Sequence, residues 1–201
     1  MQMADASRER TGLNVALIDF NNLSPQANSQ PTVLDTLELI SILVRGHFSP
    51  GKLTRPRDAI EVECRIYDGW VDRAGGYMEK YRLANSQLGA LQSLEDGVRI
   101  LPRLVTSLAC HPGAKLTGTY KNGGQKMVDQ MLAQDAHFYS EQDEYDQILI
   151  IANDDDYVPA VLAASTRWGK PISWIRKRGS TPHDLHFNLL NVELLSSSSW
   201  A

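Results

Sequence analysis

The sequence predicts a three-layer α/β domain built on a mainly parallel central sheet, and three observations carry that reading. Ile148, Leu149, Ile150 and Ile151 form a continuous apolar run flanked by polar residues, the pattern of a central strand covered on both faces. Ile60, Val62, Cys64 and Ile66 alternate with Glu61, Glu63, Arg65 and Tyr67, which has the period of a strand. Segments of these kinds then alternate along the chain with segments of helical spacing, as successive βαβ units do.

In order, residues 1–11 read as a flexible tail and 12–195 as one domain. Asn14 to Phe20 is rich in strand formers and delivers Asp19 to a strand end. Ser24 to Gln30 has loop chemistry. Val33, Leu37, Ile40 and Val44 have helical spacing, with Thr32 the expected N-cap, and Gly46 to Pro56 reads as a loop. Ile60 to Tyr67 is the second strand, and Asp68-Gly69-Trp70 follows it. Tyr77 to Leu91 reads as a helix. Val98 to Leu108 stays open, because Pro102 argues against an uninterrupted central strand. Leu116 to Tyr120 reads as a short strand. A turn at Asn122-Gly123-Gly124 precedes a helix from about Gln125 to Tyr139, whose stripe is Met127, Val128, Met131, Leu132 and Phe138. The strand Gln147 to Ala152 and a helix from Tyr157 to Arg167 follow. Ile172 to Ile175 is a further strand, Leu185 to Leu195 a last helix or edge strand, and 196–201 a disordered tail.

Composition narrows the function classes. The chain has 201 residues, 42% hydrophobic and 22% charged, as an ordinary single globular domain has. No apolar run approaches the roughly 20 residues of a membrane span, and MQMADASRER lacks the apolar core of a secretory signal. Cys64 and Cys110 are far apart and form no CxxC pair, which fits a reducing, cytoplasmic setting. A net charge of −4 exerts no general pull on nucleic acid, although a local basic patch can serve.

The chemistry-bearing stretch is Asp146 to Tyr157. Its apolar strand ends in Asp154, Asp155 and Asp156, three adjacent carboxylates that repel one another unless a cation or water screens them. In open α/β sheets ligands bind beyond the carboxyl ends of the strands, which is where these acids fall. The simpler reading is a solvated loop that caps the next helix. Asp19 ends another strand and Asp129 lies near the start of the helix feeding this one. Convergence of Asp19, Asp129, Asp154 and Asp156 would make an all-oxygen site suited to Mg²⁺ or Mn²⁺. Asp135 lies about 240° around the helix from Asp129, off its face.

These residues also carry a resemblance. An apolar strand ending in Asp19-Phe20-Asn21-Asn22, then Lys126-Met127-Val128-Asp129 followed by Asp135, then Ala152-Asn153-Asp154-Asp155-Asp156-Tyr157, and finally Gly169 before the strand Ile172 to Ile175, resemble in order the four motifs of the NYN domain. This is the PIN-like nuclease branch that includes LabA-type proteins. The resemblance runs from about Leu13 to Ile175. It implies a PIN-like (Rossmann-like) α/β/α fold and a metal-dependent endoribonuclease. Asp19, Asp129, Asp154 and Asp156 would act as catalytic residues and ligands of Mg²⁺ or Mn²⁺. Asn22 and Lys126 would contact substrate, Asn22 also being placed to orient the Asp. The family's Ser-Gly pair is Ala152-Asn153 here, and Asp155 is an added charge. The implied partner is RNA, with no membrane, and a homodimer is left open.

Two other functions compete. One is an RNA-binding or protein-interaction module with little catalysis, which the Ala152-Asn153-Asp154 departure favours. The other is a phosphohydrolase, which loses ground because the aspartyl-phosphate kind wants a D-x-D pair on the first strand and Asp19 is followed by Phe20-Asn21. Cys110, His111, His183 and His186 lack zinc-ligand spacing. Arg176, Lys177 and Arg178 read equally as a solvated loop or a phosphate contact. Lys121 sits near the acids, and Tyr67, Trp70 and Tyr120 are candidates for stacking on unpaired bases. Asp68 and Trp70 are candidates to line a cleft.

Overall fold

A computed structural model of the chain describes residues 13–23, 29–49, 59–111, 113–121, 124–177 and 192–197. A mixed α/β architecture is what the sequence pattern predicts, and the chain has it. Strand β1 (Leu13–Asp19) is central, buried at Val15 through Asp19. It pairs in parallel with β2 (Ile60–Tyr67) on one side and β9 (Tyr145–Ile151) on the other. Outward from β2 lies β4 (Val98–Val105), with β3 (Leu94–Glu95) antiparallel to it at the edge. Outward from β9 lie β10 (Ile172–Lys177) and β11 (Val192–Ser197), both parallel. The sheet order is therefore β11-β10-β9-β1-β2-β4-β3. The chain builds one half of the sheet outward from β1, then returns to build the other half. The strand order reverses between β1 and β9, and such reversals are where open α/β sheets bind ligands.

Helices cover both faces. α2 (Gln30–Phe48) and α3 (Glu79–Leu91) pack against Ala16, Ile18, Val62 and Leu149. α4 (Val128–Glu141) and α5 (Val158–Trp168) pack against Val15, Leu17, Ile148 and Ile150. Strand alternation sends successive side chains to opposite faces, so the fully covered stretches Val15 to Ile18 of β1 and Ile148 to Ile151 of β9 are apolar at every position. A short helix, α1 (Phe20–Leu23), turns the chain away from the end of β1.

Several boundaries differ from the sequence expectation. Ser29, not Thr32, is the N-cap of α2, because Pro31 lacks an N–H and fits the first turn. The Thr32 hydroxyl instead donates to the Ser29 carbonyl at 3.0 Å. The helix runs through Gly46 to Phe48, since Val44 and Phe48 still reach the core. Val98 to Val105 is a strand despite Pro102. β3 pairs only with Val98 and Arg99, so Pro102 lies where β4 is an edge and its missing N–H costs no ladder bond. β11 runs to Ser197, two residues into the expected tail, while 198–201 lie outside the described residues.

The largest departure is between β4 and α4. Two hairpins stand there, β5 (Ser107–His111) with β6 (Ala114–Thr117), and β7 (Thr119–Lys121) with β8 (Gly124–Lys126). Gln125 and Lys126 thus belong to a strand, and Met127, left-handed at φ 67°, ends it before α4 starts at Val128. No helix among the described residues is long and apolar enough to cross a membrane.

Candidate functional site

The ends of β1 and β9 meet at one carboxylate. Asp19 is the last residue of β1 and has no exposed surface. Its Oδ1 accepts the Asn22 backbone N–H at 3.1 Å, and its Oδ2 accepts the Asn22 side-chain amide at 2.7 Å. The turn into α1 brings Asn22 back over Asp19, and Asn22 Oδ1 also accepts the Asn153 N–H from the loop after β9. Asn22 therefore orients Asp19 and ties the two strand ends together. The amide oxygen and one amide N–H of Asn22 are thus engaged.

The second acid arrives from α4. The Tyr157 hydroxyl lies 2.8 Å from Asp19 Oδ2 and 2.7 Å from Asp129 Oδ1, so the two carboxylates share one contact atom. Tyr157 ends the 3-10 turn Asp155–Tyr157, and its buried ring packs in the same core cluster as Val128 of α4. Burial pushes the Asp19 carboxyl up to about 7, against the bonds from Tyr157 and Asn22 and helped by the nearby charges of Asp129 and Asp68. Burial and the two flanking carboxylates push the Tyr157 hydroxyl far above the usual tyrosine range.

The four expected acids do not assemble. Asp154 is the N-cap of the 3-10 turn, its Oδ1 accepting the Asp156 N–H at 3.0 Å. That is the capping role the sequence offered as the simpler reading. Asp156 is exposed. Asp155 faces Arg176 at the end of β10, with Oδ1 2.6 Å from Nη2. Among the described residues no three His, Cys, Asp or Glu side chains form a ligand cluster. What converges is the pair Asp19 and Asp129.

That pair fits a divalent cation of the Mg²⁺ type. Such ions keep several waters and are held by one or two carboxylates with substrate phosphates completing the shell. Asp19 Oδ1 accepts one hydrogen bond of the two it can take, although the residue has no exposed surface. Asp129 Oδ2 has no hydrogen-bond partner among the described residues, and Asp129 is half-buried rather than sealed.

Other expected site residues take different places. Lys126 is exposed at the end of β8, on a hairpin rather than in the first turn of α4. Lys121 is exposed at the end of β7. Asp135 lies under α4, where its Oδ2 accepts Arg65 Nε–H at 2.7 Å and the Tyr67 hydroxyl. Arg65 also reaches Glu63, which accepts hydroxyls from Tyr139 at 2.8 Å and Tyr145 at 2.9 Å. Tyr67 and Trp70 have no exposed surface, so neither can stack on a base. Trp70 packs on Phe20 and Tyr81 and donates its indole N–H to Ile66 O. Asp68 is buried and paired with Lys80 at 2.7 Å, and Lys80 lies over the half-buried ring of Tyr120 at 5.3 Å. His183 and His186 lie outside the described residues.

Sequence reasoning missed the Tyr157 hydroxyl. In the sequence Tyr157 reads only as the start of the helix that follows the acids, and its ring packs in the core. The only signal was the oxygen itself, next to a run of acids. Arg176 as the partner of Asp155 was equally hidden, because it follows from β9 and β10 being neighbours.

No family model matches the chain, and no curated protein does. Among solved structures the chain is similar to a protein of unknown function from Vibrio parahaemolyticus, with 14% identity over 99% of this chain and 98% of that one and a TM-score of 0.48.

Proposed function

We propose that the chain is a NYN/PIN-like domain that hydrolyses RNA phosphodiester bonds with Mg²⁺ or Mn²⁺. The observation that carries this reading is the buried Asp19 facing Asp129 through one shared contact, at the strand ends where the sheet order reverses. Asp19 and Asp129 would hold the cation, with Asp154 and Asp156 on the adjoining loop. A bound divalent ion supplies an acidified water as nucleophile and offsets charge on the phosphate oxygens. Asn22 keeps Asp19 aimed. Lys126, exposed two residues before α4, would contact the RNA backbone.

The test is cleavage of a labelled single-stranded RNA with Mn²⁺, with Mg²⁺ and with EDTA, beside Asp19→Asn and Asp129→Asn. Metal-dependent cleavage that both substitutions abolish supports the reading. Cleavage that survives both points to another site. A second reading, an RNA-binding or protein-interaction module without catalysis, is favoured by Asp154 serving as a cap and by the filled hydrogen-bonding capacity of Asp19 Oδ2. It predicts RNA retention in a filter-binding assay with no cleavage under any metal.

A further inference from the structure

The Tyr157 hydroxyl has one hydrogen and two carboxylate oxygens within hydrogen-bond distance. It can donate to only one of them. If both acids are ionised, the other contact sets an oxygen lone pair against a negative oxygen. A cation shared by Asp19 and Asp129 draws charge from both oxygens and relieves that contact.

The hydroxyl contacts one oxygen of each acid. It lies against Asp19 Oδ2, where Asn22 also bonds, and against Asp129 Oδ1. The phenol thus contacts Asp19 Oδ2 and Asp129 Oδ1 and makes no contact with Asp19 Oδ1 or Asp129 Oδ2. It also joins the last residue of β1 to the first turn of α4. Core packing of α4 on β1 brings the two carboxylates near each other, and the hydroxyl sets the last contact between them.

We propose that Tyr157 is a positioning residue that sets the divalent-cation affinity of the Asp19–Asp129 pair by bridging the two carboxylates. The inference rests on the cation-binding reading of this site and adds which uncharged residue tunes it. Hydrogen-bonding partners of metal-ligating groups typically contribute about 10- to 100-fold in affinity.

The test measures Mn²⁺ affinity by electron paramagnetic resonance of free Mn²⁺ in wild type, Tyr157→Phe and Tyr139→Phe. Phe keeps the ring that fills the core and removes only the hydroxyl. Tyr139 is the control: it too belongs to the α4 core cluster, but its hydroxyl bonds Glu63, away from the pair. The expected result is about 10- to 100-fold weaker binding in Tyr157→Phe and unchanged binding in Tyr139→Phe. Equal or tighter binding in Tyr157→Phe overturns the proposal while leaving the cation site standing. Equal loss in both variants also overturns it, because the effect is then general loosening of α4. Absence of Mn²⁺ binding in wild type removes the cation site and the proposal together. If Tyr157→Phe does not fold, wild type labelled at the tyrosine ring carbon bearing oxygen is titrated with Mg²⁺. One of the seven tyrosine resonances should shift, and no shift overturns the proposal.

Discussion

Replacing Asp19 by Asn should make the protein more stable at alkaline pH, although it removes the central acid of the site. Asp19 has no exposed surface, and its carboxyl ionises at about 7 rather than at the ordinary 3.8, burial being the main cause. Between those values the unfolded chain has released the proton and the folded chain still holds it. The folded state then binds more protons, so stability falls as pH rises from 3.8 to about 7 and is flat above. At about 1.4 kcal/mol per tenfold, the full loss comes to roughly 4 kcal/mol. Asn cannot ionise and keeps the shape of the carboxyl. The stability gap between Asp19→Asn and wild type should therefore move in favour of the variant by roughly 2 to 3 kcal/mol between about pH 5 and about pH 8. Urea unfolding in EDTA, followed by tryptophan fluorescence at the two pH values, measures this. Asp68 and Asp135 are also raised by burial, but both proteins carry them, so they cancel in the difference. Mn²⁺ in place of EDTA should flatten the wild-type slope, because a cation favours the ionised carboxylate. A gap that is the same at both pH values would falsify the reasoning about Asp19.

Arg65→Met should destabilise by about 3–5 kcal/mol, because it strands Asp135 under α4 without its cation; in urea unfolding, Arg65→Met with Asp135→Leu should recover much of that loss. Asp155→Asn should leave metal-dependent RNA cleavage intact while Asp129→Asn abolishes it, since Asp155 is committed to Arg176; equal loss in both would place Asp155 in the site. Gly118→Ala should cost about 1–3 kcal/mol in thermal unfolding, because the new methyl would stand 2.6 Å from the Asp68 carbonyl oxygen and push the β7 hairpin off β2.

The sheet was legible in its strands and not in their order. Ile148 to Ile151 reads as a strand covered on both faces because its apolar residues are continuous, Asn14 to Phe20 reads as a strand from its strand formers, and the two lie side by side at the centre of the sheet. The two hairpins were hidden because their strands are three to five residues long and face partly to solvent, so neither apolar period has room to appear. The start of α4 was misplaced for the same reason. Met127 looks like part of the helical stripe, yet it is exposed and left-handed, and only the pairing of Tyr120 with Gln125 explains why the helix cannot begin sooner.

The site was legible where an acid ends an element and illegible where an acid has a nearer use. Asp19 and Asp129 stand at a strand end and in a first helical turn, and their elements aim them at each other. Asp154 is two residues before an N–H that needs an acceptor, and a cap forms locally without help from the rest of the fold. Asp155 meets a buried guanidinium, a stronger draw than a solvated ion at some distance. Three adjacent carboxylates thus separate into a cap, an ion pair and a solvent-exposed charge. The repulsion that suggested a shared cation is largely relieved before any cation arrives. What remains is the contact at Tyr157, where one hydrogen serves two acids once Asp19 has given up the proton it holds below about pH 7. The demand for positive charge therefore sits at Asp19 and Asp129, and that is the place to look for a bound ion.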